Sequence, residues 1–152
     1  MPKKVFEYTE DYVKVLEGVY PKQIPDLKGI VGYTSDNIPG VKGVSSAAAP
    51  LLSEYQTVEG LYEEIESYNK ENLKDLQKFW KESLGINRSP LKALIKESDT
   101  ELVGKKAALM SKELATIKAD IPIKLTLEDI RVIDNEETWK NVCMQLEIKS
   151  IV

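Results

Sequence analysis

Leu73, Leu76, Trp80 and Leu84 recur at i, i+3, i+7 and i+11, with Phe79 beside them. In a helix every third or fourth side chain returns to the same face, so this spacing lays one apolar stripe along a helix. A stripe of that period cannot serve a strand, whose faces alternate at every residue. It predicts an amphipathic helix over Asn69–Leu84, ended by Gly85. The fold is then one in which helices bury one face against other helices.

The rest of the chain is punctuated in the same way. Thr9 is placed to cap a helix over Glu10–Gly18, with acids in its first turn and glycine at its end. Pro21 suits the first turn of a second helix that runs to about Gly32. Ser45 or Ser46 is placed to cap Ala47–Tyr55, and Thr57 to cap a helix through about Ser67, with Leu61, Ile65 and Tyr68 on one side. Ser89-Pro90 opens a short helix, and Thr100–Ala119 reads as a long one with Leu102, Leu109, Leu114 and Ile117 as core.

Pro122 biases Ile121 away from the α region, so residues 120–125 read as a short extended segment. Thr126 then caps a helical turn through Val132. Asn135 caps a last helix, Glu136–Leu146, whose Trp139, Val142 and Leu146 face one way. Trp80 and Trp139 are read as core anchors and Cys143 as buried and inert. With no internal repeat or linker, residues 1–152 read as a single, mainly α domain.

Composition narrows the chemistry. The chain has no histidine, which removes Ser/His and Cys/His triads, His-based zinc sites and histidine general bases in one step. Chemistry would have to rest on lysine, or on carboxylates with hard metal ions. A net charge of −4 excludes a uniformly basic nucleic-acid binder but leaves room for a local basic patch. A single cysteine makes no intrachain disulfide, and no apolar run approaches the roughly 20 residues of a membrane span. The N-terminus lacks the apolar run of a signal peptide, so a cytoplasmic protein is expected.

Residues 32–44, GYTSDNIPGVKGV, stand apart from this helical pattern. Gly40 and Gly43 flank Val41-Lys42, with helices predicted on both sides. Such a turn can present successive backbone amides at a helix entrance, an arrangement that grips phosphate without reading bases. The spacing alone fits equally a plain helix–helix turn that needs positive φ.

The neighbouring residues carry more information. SDNIPGVKGV, preceded by VYPKQIPDLKGIVG and followed by AAAPLLSEYQTVEGLYEEIE, resembles the bacterial 5′→3′ exonuclease family. This is the structure-specific nuclease at the front of many DNA polymerase I chains, related to flap endonucleases, with roles in DNA replication and repair. The likeness continues through LVGKKAALMSKELATIKADIPIKL to the closing LEIKSI, from about Val19 to Ile151. It implies a helix-hairpin-helix (SAM-like) region: the C-terminal half of a 5′ nuclease, without the N-terminal α/β catalytic domain that bears most metal-binding acids.

Carried over residue by residue, the resemblance is incomplete. The family's loop reads Gly-Asp-x-Ser-Asp-Asn, with both aspartates in the metal cluster. Here Asp36 keeps the second, while Tyr33, a neutral phenol, replaces the first. Asp120 matches a further metal-site acid. Either acid also fits a local role, Asp36 as an Asx-turn residue and Asp120 as a helix-ending one. The resemblance implies Mg²⁺ or Mn²⁺ in the whole enzyme, none held tightly by this chain, and a monovalent cation at the hairpin.

Gly40, Lys42, Gly43, Ser45 and Ser46 are the implied DNA contacts. Ser45 stands where the family has a second glycine, and the family's hairpin lysine is missing, which predicts a weaker grip. Lys70, Lys74, Lys78 and Lys81 form a basic ridge on the predicted Asn69–Leu84 helix. That ridge reads either as a DNA-tracking surface or as a solvated face interleaved with Glu71, Asp75 and Glu82. Two functions follow. One is a DNA-binding part of a metal-dependent nuclease, inactive alone and partnered by duplex or flapped DNA and the missing nuclease domain. The other is a catalytically degenerate, non-enzymatic interaction module of the same descent.

Overall fold

A computed structural model describes residues 7–69, 71–132 and 135–148. These divide into two compact units, 1–117 and 118–152, taken here separately. The sequence reading treats the chain as one domain. The division falls at Ile117–Lys118, where the seventh helix has ended and the extended segment around Pro122 begins. Among the described residues there is no strand, and no helix is long and apolar enough to cross a membrane.

The first unit begins with α1 (Glu10–Glu17). The Thr9 hydroxyl accepts the Tyr12 amide at 3.2 Å, and Gly18 leaves the helix in the left-handed region. A 3₁₀ turn, Pro21–Gln23, leads into α2 (Ile24–Val31). Gln23 is buried, and its Nε2 donates to the Leu52 and Gln56 carbonyls, both at 2.9 Å. Those carbonyls lie at the end of α3 (Ala48–Tyr55), so one side chain satisfies a helix terminus and joins two elements.

Thr57 caps α4 (Val58–Ser67), accepting the Gly60 amide at 3.0 Å. The amphipathic helix is α5 (Leu73–Glu82), shorter than the predicted Asn69–Leu84, with Leu76 and Trp80 fully buried. Trp80 Nε1 donates to the Tyr55 hydroxyl at 2.8 Å, giving the buried indole its one required partner. A short α6 (Leu91–Leu94) follows Ser89-Pro90, and α7 (Gly104–Ala115) closes the unit. Ile30, Leu51, Leu52, Leu61, Leu76, Trp80 and Leu94 form the continuous core.

The core of α7 differs from the expectation. Leu102, Leu114 and Ile117 are exposed, and Leu109 alone of the four packs against the core. The buried face of α7 is Gly104, Ala107, Ala108 and Ser111, which lies against α2. A Cβ on Gly29 of α2 would come within 2.9 Å of the Lys112 Cβ and 3.0 Å of the Ala108 carbonyl oxygen. Backbones this close leave room only for small side chains, so the large apolar ones turn outward.

In the second unit the Thr126 hydroxyl accepts the Asp129 amide at 3.3 Å and donates to the Asp129 carboxylate at 2.7 Å. The hydroxyl's donation, joined by the Thr126 amide donating to the same carboxylate at 2.8 Å, holds the Asp129 carboxyl below its ordinary value. Asn135 caps α8 (Glu136–Gln145) through the Thr138 amide at 3.0 Å. Cys143 is buried, as the sequence indicates, but Trp139, Val142 and Leu146 are exposed, so Trp139 is not a core anchor. The inward line of α8 runs through Cys143, and a unit this short has little interior to offer a tryptophan.

Candidate nucleic-acid interface

The stretch between α2 and α3 is built from two nested turns. Gly32, with φ of 81°, ends α2, and Tyr33 and Ile38 then exchange backbone hydrogen bonds of 2.8 and 3.0 Å. Between them Thr34–Asp36 forms a 3₁₀ turn, closed by Asn37 in the left-handed region. This tight knot spends its backbone groups internally. The Asp36 carboxylate is exposed and takes no hydrogen bond among the described residues.

The second turn crosses back over the end of α2. Gly40 is buried, has φ of 62°, and donates its amide to the Ser111 hydroxyl at 3.0 Å. The next amide, of Val41, donates to the Ile30 carbonyl at 2.7 Å, and the Val41 side chain enters the core. Gly40 is therefore committed inside the protein, holding the hairpin down on α2 and α7.

Beyond Val41 the chain turns outward. The Val44 amide donates to Val41 and the Ala47 amide to Val44. Among the described residues the amides of Lys42, Gly43, Ser45 and Ser46 find no backbone acceptor. All four residues are exposed, while Val41, Val44 and Ala47 pin the loop from beneath. The result is a rigid tip carrying donors and one lysine.

Neither Ser45 nor Ser46 caps α3, contrary to the sequence reading. Ser45 instead begins a 3₁₀ turn, Ser45–Ala47, with φ of 33°. That sparsely populated backbone suits glycine, the residue the resemblance leads one to expect at this point. Tyr33 is partly exposed, and Lys28 Nζ sits 3.9 Å from its ring centroid, a cation–π contact where a carboxylate was expected.

Lys74, Lys78 and Lys81 are exposed on α5; Lys70 lies outside the described residues. Asp120 is exposed in the second unit. Among the described residues no three His, Cys, Asp or Glu side chains gather into a metal-holding group. Two neighbours of the hairpin were missed by sequence reasoning. Lys96, 3.2 Å from Glu101, and Arg88, two residues after the buried Ile86, each line a cleft beside the tip. No helical spacing marks them, because loops bring them there.

The first unit is thus a small all-α fold that suspends a glycine turn between two helices and braces it with a third. More specifically, the chain belongs to the 5′-3′ exonuclease family: residues 19–138 match the model of the 5′-3′ exonuclease C-terminal SAM fold. It is 38% identical over 147 residues to DNA polymerase I of Caldicellulosiruptor bescii, covering 95% of this chain and 14% of that protein. It is 38% identical over 125 residues to DNA polymerase I of Bacillus subtilis, covering 81% of this chain and 11% of the relative. The 5′-3′ exonuclease of Buchnera aphidicola is 35% identical over 129 residues, 82% of this chain and 35% of the relative. The chain thus spans only a minor part of the relatives it matches.

Proposed function

We propose that this chain is the DNA-holding part of a larger 5′→3′ exonuclease of the bacterial cytoplasm, gripping duplex backbone through the tip at Lys42–Ser46. The observation that carries the reading is the tip itself, four exposed residues, one a lysine, whose amides lack a backbone acceptor among the described residues. Such a surface favours an oxyanion at a place no acid occupies, and phosphate contacts of this kind position a duplex without reading its sequence. Gly40 stiffens the grip from inside the protein, while Lys42, Gly43, Ser45 and Ser46 make it.

The donor set of this chain does not fit a two-metal centre by itself. Among the described residues Asp36 joins no group of three or more His, Cys, Asp or Glu side chains, and Tyr33 brings a phenol with a lysine on its face. In the larger protein, Asp36 and Asp120 would add carboxylates to a Mg²⁺ or Mn²⁺ site completed by the nuclease domain. Alone, the purified chain is expected to leave a 5′-flap substrate uncut in Mg²⁺ or Mn²⁺. Cleavage that titrates with protein and survives repurification would contradict this. The Lys28–Tyr33 contact favours a second reading, a family member that keeps the grip and has lost the cutting.

Duplex binding measured by fluorescence anisotropy across a salt series tests the main reading. Lys42→Glu is expected to lower the slope of log affinity against log salt by about 1. It should weaken binding by about tenfold near 0.1 M salt, equally for unrelated sequences. Affinity indifferent to salt, or unchanged by Lys42→Glu, would count against it.

A further inference from the structure

We infer that Arg88 is a second anchor for the DNA backbone, seating a phosphate in the groove between the hairpin tip and the loop after α5. The groove measures about 500 Å³, with Gly43, Ser45 and Ser46 on one side and Asn87 and Arg88 on the other. It is many times the roughly 30 Å³ share of one water and wide enough for a sugar–phosphate unit.

The loop that carries Arg88 is fixed at both ends. On one side Ile86 is buried and its amide donates to the Trp80 carbonyl at 3.0 Å. On the other, the Ser89 hydroxyl accepts from Gln77 Nε2 at 3.2 Å and from the Leu91 amide at 3.4 Å. Asn87 and Arg88 are thus held between two anchored points, so the backbone that presents the guanidinium costs little to order.

The charge of this groove is uncompensated. Among the described residues no carboxylate lines it, and Arg88 enters no ion pair. The cleft on the other side of the tip differs, because there Lys96 is neutralised by Glu101. Arg88 is also the only arginine in residues 1–117, Arg131 being the other in the chain. A guanidinium fork matches phosphate oxygens two at a time, which a lysine cannot do. One groove therefore offers a bidentate cation and serine hydroxyls to an anion, beside the amides already assigned to the backbone grip.

The inference rests on the reading of the tip as a duplex grip, and its test separates the two. The full chain, its Arg88→Gln, Arg88→Lys and Lys42→Glu variants are titrated with a short labelled duplex across 0.05–0.5 M salt (~tenfold, to resolve the slope). A contact that adds about 0.9 to the slope is worth roughly eightfold in affinity between 1 M and 0.1 M salt. Arg88→Gln is expected to lose that slope and about that affinity at 0.1 M, with its melting temperature unchanged. Arg88→Lys, which keeps the charge and loses the fork, should fall between, and it carries the comparison if Arg88→Gln fails to fold. Binding weakened by Lys42→Glu but untouched at Arg88 overturns the inference and leaves the grip. Salt-indifferent or absent binding by the unaltered chain overturns both.

Discussion

Gly40→Ala is expected to destabilise the first unit by about 3 kcal/mol, the sum of a left-handed backbone penalty and an overpacking penalty. The added Cβ would lie 2.3 Å from the Gly32 nitrogen, 2.6 Å from the Val31 carbonyl carbon and 2.7 Å from the Gly32 Cα. All three are backbone atoms, so no side chain can swing away. Gly40 cannot retreat either, because its amide is bound to the buried Ser111 and the next amide to Ile30. The melting temperature should fall by roughly 10 °C. Gly85→Ala is the control: it has φ of 67° but its Cβ would meet nothing within 4 Å. It should cost about 1 kcal/mol, the backbone penalty alone. Equal losses at the two positions would mean that the crossing of Gly40 over α2 is not the constraint described.

The second large effect is expected at Asp26, a buried acid on α2. Its Oδ1 accepts the Val58 amide at 2.8 Å, at the start of α4, and lies 2.7 Å from Lys112 Nζ on α7. Lys112 also reaches Glu59 Oε2 at 2.5 Å. One carboxylate thus ties three helices and answers a helix-terminal amide that Thr57, occupied with Gly60, does not reach. Asp26→Ala leaves a buried amide and a half-buried ammonium short of a partner, at a cost of about 3 kcal/mol in a chemical denaturation curve. Asp26→Asn, which keeps the acceptor and loses the charge, should cost less.

The same cluster sets a pH dependence. Burial raises the Glu59 carboxyl, but the Lys112 hydrogen bond and charge, with hydrogen bonds from the Glu59 amide and Thr57, together outweigh it and hold Glu59 below its ordinary value of 4.5. Burial lowers the Lys112 ammonium, but the bonds to Asp26 and Glu59 outweigh that and hold it above its ordinary 10.5. A depressed carboxyl stabilises the fold above 4.5, and that stability is lost as pH falls through the folded value. A raised ammonium stabilises below 10.5, and that is lost as pH rises through the folded value. The cluster's contribution should be flat between these limits and decline outside them, and Lys112→Met should remove both declines together.

Much of this architecture is legible from local rules, because caps and turns act over three or four residues. Thr9, Thr57 and Asn135 cap the helices they were expected to cap, and the Leu76–Trp80 stripe is buried. Several of the differences arise from contacts between residues distant in sequence. The inner face of α7 is made of glycine, alanine and serine because the backbone of α2 approaches it closely, and no apolar periodicity announces that. Ser111 and Asp26 owe their roles to residues 71 and 32 positions away in sequence. Arg88 reaches the hairpin only through the path of a loop. The stretch GYTSDNIPGVKGV was recognisable in kind, but which of its glycines is buried depends on the fold.

The most direct test of the backbone grip follows each amide of the ¹⁵N-labelled chain as a short duplex is added. The Lys42, Gly43, Ser45 and Ser46 signals are predicted to shift first and furthest, with Gly40 protected by Ser111 and nearly still. Shifts gathered instead on Lys74, Lys78 and Lys81 of α5, with the tip unmoved, would contradict the account.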